Sequence, residues 1–401
     1  MSARRLIAAP PGVARVTLTR DLRRAIKRGH PWLFSNAVTL PKGAVAGQIA
    51  VVSERGGRPV AVGYVDPEGP LAVRVCSPEA GVQLDDAWAE AGLTRALALR
   101  RGHFDADTTG WRAVNGEGDG LPGLVFDVYG DTGVLKLDGP VAERFWDAEG
   151  LGPWLAERLG LARVYERRRV RGEALGRPLF GPPPTGPVAF LEHGARFTAD
   201  VVIGQKTGFF LDQRDNRARV ARLARDRTVL NVFGYTGGFS VAAGRAGARH
   251  VTTVDLARPA VDAASAHWRM NGLDPAAHEG VAADAFAVLD EAIAAGRRWD
   301  LVVLDPPAFA PSREAAERAM SAYTRMVTAG ARVTAPGGIC VAASCSAHVD
   351  QAAFLALCEE GVAQARRRAT VLGVHGQPAD HPAPLACPEL RYLKAVFMAL
   401  D

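Results

Sequence analysis

Cysteine is scarce in this chain: five residues in 401, at 76, 340, 345, 358 and 387. They include no Cys-x-x-Cys pair, which argues against a disulfide framework and a structural zinc site, so no metal is expected. No stretch approaches the about 18 consecutive apolar residues of a membrane span, so no membrane partner is expected. Prolines interrupt the apolar residues behind Arg4 and Arg5 well short of a secretory signal core. These absences predict a cytoplasmic protein. Internal repeats are also lacking.

What remains is a globular composition, 48% hydrophobic and 23% charged, in a chain long enough for two or three domains. The net charge of +5 is unevenly spread: residues 1–80 hold twelve Lys or Arg against five Asp or Glu, leaving the rest slightly acidic. Much of the surplus sits in "RDLRRAIKRGHPW" (20–32). There Arg23, Arg24 and Lys27 form either a solvated helix face or a phosphate-binding patch.

The spacing predicts three regions. Residues 1–80 alternate short β-type runs ("GQIAVVS", "PVAVGYV", "LAVRVCS") with Gly and Pro turns, as in a small β-rich domain. Residues 81–190 read as a middle α/β domain, with a helix over "DDAWAEAGLTRALALRR", strands over "LVFDVYG" and "GVLKLDG", and a loop at "GPPPTGP". Residues 191–401 alternate β runs ("TVLNVF", "HVTTVD", "DLVVLD", "GICVAAS") with Ala-rich helical segments, the pattern of a doubly wound, Rossmann-like parallel sheet.

Strand "TVLNVF" runs into "GYTGGFSV", so Phe233, Gly234, Tyr235, Thr236 and Gly237, with Gly238 behind them, form a turn that brings backbone close to a ligand. Asp255 ends the next strand, 21 residues beyond Gly234, where a carboxylate accepts hydrogen bonds from both ribose hydroxyls. Asp284 follows the third strand region, placed either for an adenine amino group or as a helix N-cap. These features suit NAD and S-adenosylmethionine equally. The fourth strand separates them: Asp305-Pro306-Pro307 is a rigid turn presenting a carboxylate and carbonyls. Methyltransferases that hold a planar base against a sulfonium use such a turn, whereas dehydrogenases have no use for it.

Cys345 follows the fifth strand and is expected at the same sheet edge as Asp305. Carbon 5 of cytosine is a poor nucleophile, and its methylation needs a thiolate adding at C6. Asp305 would hydrogen-bond the ring and support that addition, and the base must leave its stack. Cys340, five residues earlier, is expected in the core.

Several segments together carry a family resemblance: "RGHPWLFSNAV" (28–38), "NGEGDGLPGL" (115–124), "KTGFFLDQRDNR" (206–217), "VLNVFGYTGGFSV" (229–241), "VVLDPPAFA" (302–310), "ASCSAHVD" (343–350), "ADHP" (379–382) and "YLKAV" (392–396). In this order they resemble the RlmI-type bacterial 23S rRNA 5-methylcytosine methyltransferases. The resemblance implies a PUA domain, a middle domain and a C-terminal class I methyltransferase domain that uses S-adenosylmethionine. It implies 23S rRNA as partner, with the N-terminal basic residues on its phosphates, and Cys345 as the catalytic cysteine. It also sets Lys206 or Arg214 near the methionine carboxylate. Two features depart from the pattern: Ala308 stands where some relatives carry lysine, and Cys387, near the C terminus, reads as a strand or turn residue. An alternative is purine N-methylation, with Phe309 stacking on the base and no need of a cysteine. Another is an RNA-binding assembly factor without catalysis. The oligomeric state is not legible.

Overall fold

The computed structural model describes residues 4–170, 173–309 and 316–401, so Ala310, which closes the Asp-Pro-Pro stretch, lies outside the described residues. The chain divides into two compact units, the first made of Met1–Leu191, Thr198–Leu211 and Ala379–Leu390, the second of Glu192–Phe197, Asp212–Pro378 and Arg391–Asp401.

Unit 1 begins with a six-stranded sheet in the order β2-β6-β5-β4-β1-β3. Its strands are β1 (Val13–Leu18), β2 (Trp32–Phe34), β3 (Val38–Thr39), β4 (Ile49–Ser53), β5 (Pro59–Val65) and β6 (Leu71–Ser77). Strict alternation along β1, with Ala14, Val16 and Leu18 buried, turns one face to a core of small and β-branched residues. Helix α1 (Arg23–Lys27) buries Ile26 and leaves Arg23, Arg24 and Lys27 exposed.

A second sheet, β11-β10-β9-β8-β7, follows, built from β7 (Gly110–Asn115), β8 (Leu124–Tyr129), β9 (Thr132–Leu137), β10 (Arg163–Val170) and β11 (Glu173–Phe180). Helices α2 (Asp86–Arg100), α3 (Gly139–Phe145) and α4 (Ala148–Leu159) belong with it. Arg100 ends α2 with its guanidinium buried against Asp119, at 2.5 and 2.9 Å. It also donates to the carbonyls of Ala96, Arg112 and Asp380, which occupies all five of its N–H groups. The Asp380 carboxylate in turn accepts from the Arg112 amide at 2.9 Å, and Asn115 donates to the Pro382 carbonyl at 2.7 Å. The "NGEGDG" and "ADHP" segments are thus tied together by structural bonds.

The hairpin β12 (Val188–Glu192) and β13 (Ala195–Ala199) precedes helix α5 (Arg214–Leu223). Unit 2 is then a seven-stranded sheet in the order β16-β15-β14-β17-β18-β20-β19. The strands are β14 (Thr228–Val232), β15 (His250–Asp255), β16 (His278–Ala282), β17 (Trp299–Leu304), β18 (Thr334–Ser344), β19 (Ala369–His375) and β20 (Lys394–Leu400). Helices α6 (Gly238–Arg245), α7 (Arg258–Met270), α8 (Ala285–Ala294), α9 (Ala316–Val333) and α10 (Gln351–Gln364) connect them. The first five strands in this order are parallel and β20 runs antiparallel to β18. Both faces are covered, which is why the central strands read as unbroken apolar runs. Leu230, Val232, Val302 and Leu304 enter one core; Val229, Leu301 and Val303, offset by one residue, enter the other.

Candidate active site

Strand register builds the site. Val232 of β14 lies opposite Val254 of β15 and Leu304 of β17. The next residue of each strand, Phe233, Asp255 and Asp305, therefore emerges at one edge, on neighbouring strands about 4.8 Å apart. That edge, where β15 and β17 flank β14, is the switch point at which doubly wound sheets bind ligands. Leu304 pairs with Ala342 of β18, which continues to Ser344, so Cys345 leaves the same edge slightly higher.

The first loop is shaped by backbone that few residues adopt. Phe233, Tyr235 and Gly237 have φ of 60°, 45° and 79°. Gly234 is compelled by space, since a Cβ there would meet Thr253 Cγ2 at 2.6 Å and Asn231 Nδ2 at 2.9 Å. A side-chain chain runs beneath it: Asn231 donates to Ser240 Oγ at 2.9 Å, Ser240 Oγ meets Thr253 Oγ1 at 2.6 Å, and Thr253 Oγ1 meets His278 Nε2 at 2.8 Å. Burial pushes His278 down to about 4, so the ring is neutral near pH 7. His267 Nδ1–H donates to the Thr236 carbonyl at 2.8 Å.

Asp255 faces this loop. Its Oδ2 accepts from the Tyr235 amide at 2.8 Å and its Oδ1 from the Ala257 amide at 3.0 Å. Asp284 is the N-cap of α8, accepting from the Ala287 amide at 3.0 Å, so capping accounts for it. The close-packed glycine loop, the α6 N-terminus without a side-chain cap and the buried Thr236 Oγ1, unpartnered among the described residues, suit an adenosyl amino acid.

Asp305 is held from a segment that sequence reasoning quoted without giving it this work. Gln213 donates to Asp305 Oδ1 at 2.7 Å, and Asn216 donates to Gln213 Oε1 at 2.7 Å. Pro306 is buried and Pro307 exposed. Phe309 packs at 6.2 Å from the Phe233 ring and 4.9 Å from Tyr323. Arg214 is buried in α5, which belongs to unit 2 as the loop does. Lys206 belongs to unit 1, where its ammonium lies 4.4 Å from the Phe210 ring centroid.

Cys345 is half-exposed between two buried serines. Ser344 Oγ donates to the Tyr323 hydroxyl at 3.0 Å and accepts from the Ser346 amide at 3.3 Å. Lys394, opposite Ser344 in the β18–β20 register, is only 4% exposed. It donates to the carbonyls of Ser346 at 2.6 Å and Tyr392 at 2.8 Å. Burial pushes Lys394 down to about 8 against the attraction of Cys345 and Asp350. The sequence signal for it was a lone lysine heading an apolar strand. Cys340 and Cys358 lie in the core, pushed up to about 12 by burial. Cys387 is likewise pushed up to about 12 by burial, and its thiol donates a hydrogen bond to Glu389 Oε2, 3.4 Å away, beside His30.

In unit 1, Arg23 is already engaged by Asp21 at 2.8 Å and Glu54 at 3.0 Å, so of the three candidate phosphate contacts Arg24 and Lys27 are the better placed. Among the described residues no helix is long and apolar enough to cross a membrane.

Comparison with known proteins identifies the family. Residues 153–378 match the S-adenosylmethionine-dependent methyltransferase family, and residues 16–78 a PUA-like domain. A "Ribosomal RNA large subunit methyltransferase" of Deinococcus radiodurans is 40% identical, covering 98% of this chain and 98% of its own. "Ribosomal RNA large subunit methyltransferase I" of Pseudoalteromonas translucida is 34% identical over 93% of this chain and 96% of its own. A Streptococcus mutans structure described as a SAM-dependent methyltransferase superposes with a TM-score of 0.84, covering 96% of this chain and 99% of that one. A second, complexed with SAH, gives 0.85 with the same coverage; at 24% identity both show the fold. The chain belongs to the S-adenosylmethionine-dependent ribosomal RNA large subunit methyltransferases, with a PUA-like domain preceding the methyltransferase domain in sequence.

Proposed function

We propose that this protein methylates carbon 5 of a cytosine in 23S rRNA through a transient bond from Cys345. The observation that carries the reading is a half-exposed sulfur, fixed between two pegged serines, at the edge that also presents Asp305. The large-subunit RNA substrate is suggested by the names of the relatives, and such work belongs in the cytoplasm.

The Gly234–Gly238 turn and α6 N-terminus would hold the methionine part of S-adenosylmethionine, Asp255 the ribose, and Arg214 the carboxylate by charge. When bound, S-adenosylmethionine supplies an electrophilic methyl group and leaves as S-adenosylhomocysteine. The Cys345 thiolate places its electron pair in a bond to C6 of the flipped base, which makes C5 nucleophilic. Asp305, oriented by Gln213, accepts from the ring's amino group and a protonated N3, stabilising the adduct. Loss of the C5 proton to solvent water restores the C5–C6 double bond as the C6–S bond breaks and its electron pair returns to sulfur. Pro306, Pro307 and Phe309 would line the base pocket.

The test is rRNA carrying 5-fluorocytosine. Fluorine in place of the C5 proton blocks the last step, so the wild-type protein is expected to accumulate a denaturant-resistant adduct mapped to Cys345. A Cys345→Ala variant that still methylates would reject the covalent reading and favour purine N-methylation.

A further inference from the structure

Unit 2 buries a lysine beside the cysteine assigned above as nucleophile, and the mechanism so far gives it no task. Lys394 heads β20, pairs with Ser344 across the sheet and is 4% exposed. Two of its three ammonium protons go to the Ser346 and Tyr392 carbonyls, leaving one for a third acceptor. The residue between its partner in register and its hydrogen-bond acceptor is Cys345. A buried ammonium bonded to carbonyls keeps its net charge, and at low local dielectric that charge acts strongly on neighbours.

The groups acting on this pair come from several elements. Asp350, the N-cap of α10, attracts Lys394. Tyr323 of α9 touches Ser344 and interacts with Cys345 and Asp305. Asp305 ends β17. His375 of β19 lies beside Phe397, on the opposite face of β20. Asp305 and Asp350 are anions that oppose a thiolate; the cation of this set is Lys394.

We infer that Lys394 is a positioning residue whose buried ammonium holds Cys345 as the thiolate and ties down the turn that carries it. This rests on the reading of Cys345 as nucleophile. The bookkeeping of charge is closed: the thiol's proton leaves to solvent water, and the ammonium, already carrying its three protons, balances the thiolate that remains. When the sulfur's electron pair enters the bond to C6, the ammonium remains in place to receive the thiolate again on release.

The experiment is the pH dependence of Cys345 alkylation by iodoacetamide in the full chain, quantified at that residue by peptide mass spectrometry. The wild type is compared with Lys394→Met, which keeps the length of the side chain and removes the charge. The midpoint is expected to rise by about one pH unit or more in the variant, with a fall in methyl transfer of about tenfold or more at neutral pH that narrows at high pH. S-adenosylmethionine affinity should be unchanged. An unaltered midpoint overturns the inference, because a merely structural lysine would change yield or melting temperature without moving it.

A second measurement needs no variant at Lys394. Thiolate absorbance near 240 nm in the wild type, with Cys345→Ser subtracted, should titrate well below an ordinary thiol's range of about 8.5. Titration at or above that value overturns the inference even if Lys394→Met fails to fold. Alkylation and absorbance do not require turnover, so a shifted midpoint together with an active Cys345→Ala variant would reject the nucleophile reading alone.

Discussion

Two buried cations in this molecule are compensated in opposite ways. Arg100 in unit 1 meets the Asp119 carboxylate through two hydrogen bonds and spends its other donors on three carbonyls. The pair is neutral as a whole, its partners are fixed, and its work is to join segments far apart in sequence. Lys394 in unit 2 meets carbonyls at Ser346 and Tyr392. Those dipoles solvate the charge without cancelling it. Burial alone therefore does not separate an architectural ion from one that serves chemistry; the partner does.

The sharpest way to break that contrast is to remove the sulfur beside Lys394. Cys345→Ala should reduce methyl transfer by about 10⁴-fold or to background, with cofactor affinity and melting temperature nearly unchanged. A large loss of stability instead would make Cys345 a packing residue.

The converse is expected around Arg100. Arg100→Met strands the Asp119 carboxylate, a side chain only 2% exposed, and should cost about 3–5 kcal/mol of unfolding free energy in urea titrations. Activity per folded molecule should be preserved. A cost below about 1 kcal/mol would remove the architectural side of the comparison.

Asp255 probes an intermediate case, a carboxylate already engaged by two amides. Asp255→Ala should weaken S-adenosylmethionine binding by about 1.5–3 kcal/mol in calorimetry, since a charged acceptor for two hydroxyls is lost. Unchanged affinity in a folded variant would exclude it from the ribose.

The smallest effect is expected from exposed charge. Neutralising Arg24 and Lys27 together should flatten the logarithmic salt dependence of rRNA binding by about 1.4–1.8. Neutralising Arg23 alone should change it less, because Asp21 and Glu54 already balance that guanidinium. Equal slopes for all variants would identify α1 as a solvated face.

The strands of unit 2 were legible because a parallel sheet covered on both faces writes itself as short apolar runs, and the edge followed from their ends. Phe233, Asp255, Asp305 and Cys345 could be aligned by counting from those ends. Asp284 shows where counting stops: a carboxylate after a strand and one capping a helix look alike in sequence. Gln213 and Lys394 were out of reach for another reason. Gln213 stands 92 residues from the carboxylate it orients, and Lys394 48 residues from the carbonyl it holds. Only the antiparallel register of β20 makes an apolar strand's first lysine a neighbour of Cys345. The "ADHP" segment was visible as a motif, but that it braces Arg100 and Arg112 depends on Ala379–Leu390 returning to unit 1.

The side-chain chain under Gly234 has a consequence for how the cofactor comes and goes. Because Asn231, Ser240, Thr253 and His278 are bonded in series beneath the loop, the left-handed conformations at Phe233, Tyr235 and Gly237 are settled when the protein folds. Little conformational entropy is then left to lose on binding, which is the meaning of preorganisation. Cofactor exchange should be governed by the contacts that break rather than by a slow rearrangement of the loop. The same floor sets an acid limit on that rigidity. His278 takes up a proton more readily unfolded than folded, so the support is whole above about pH 6.5 and is lost as the pH falls toward 4.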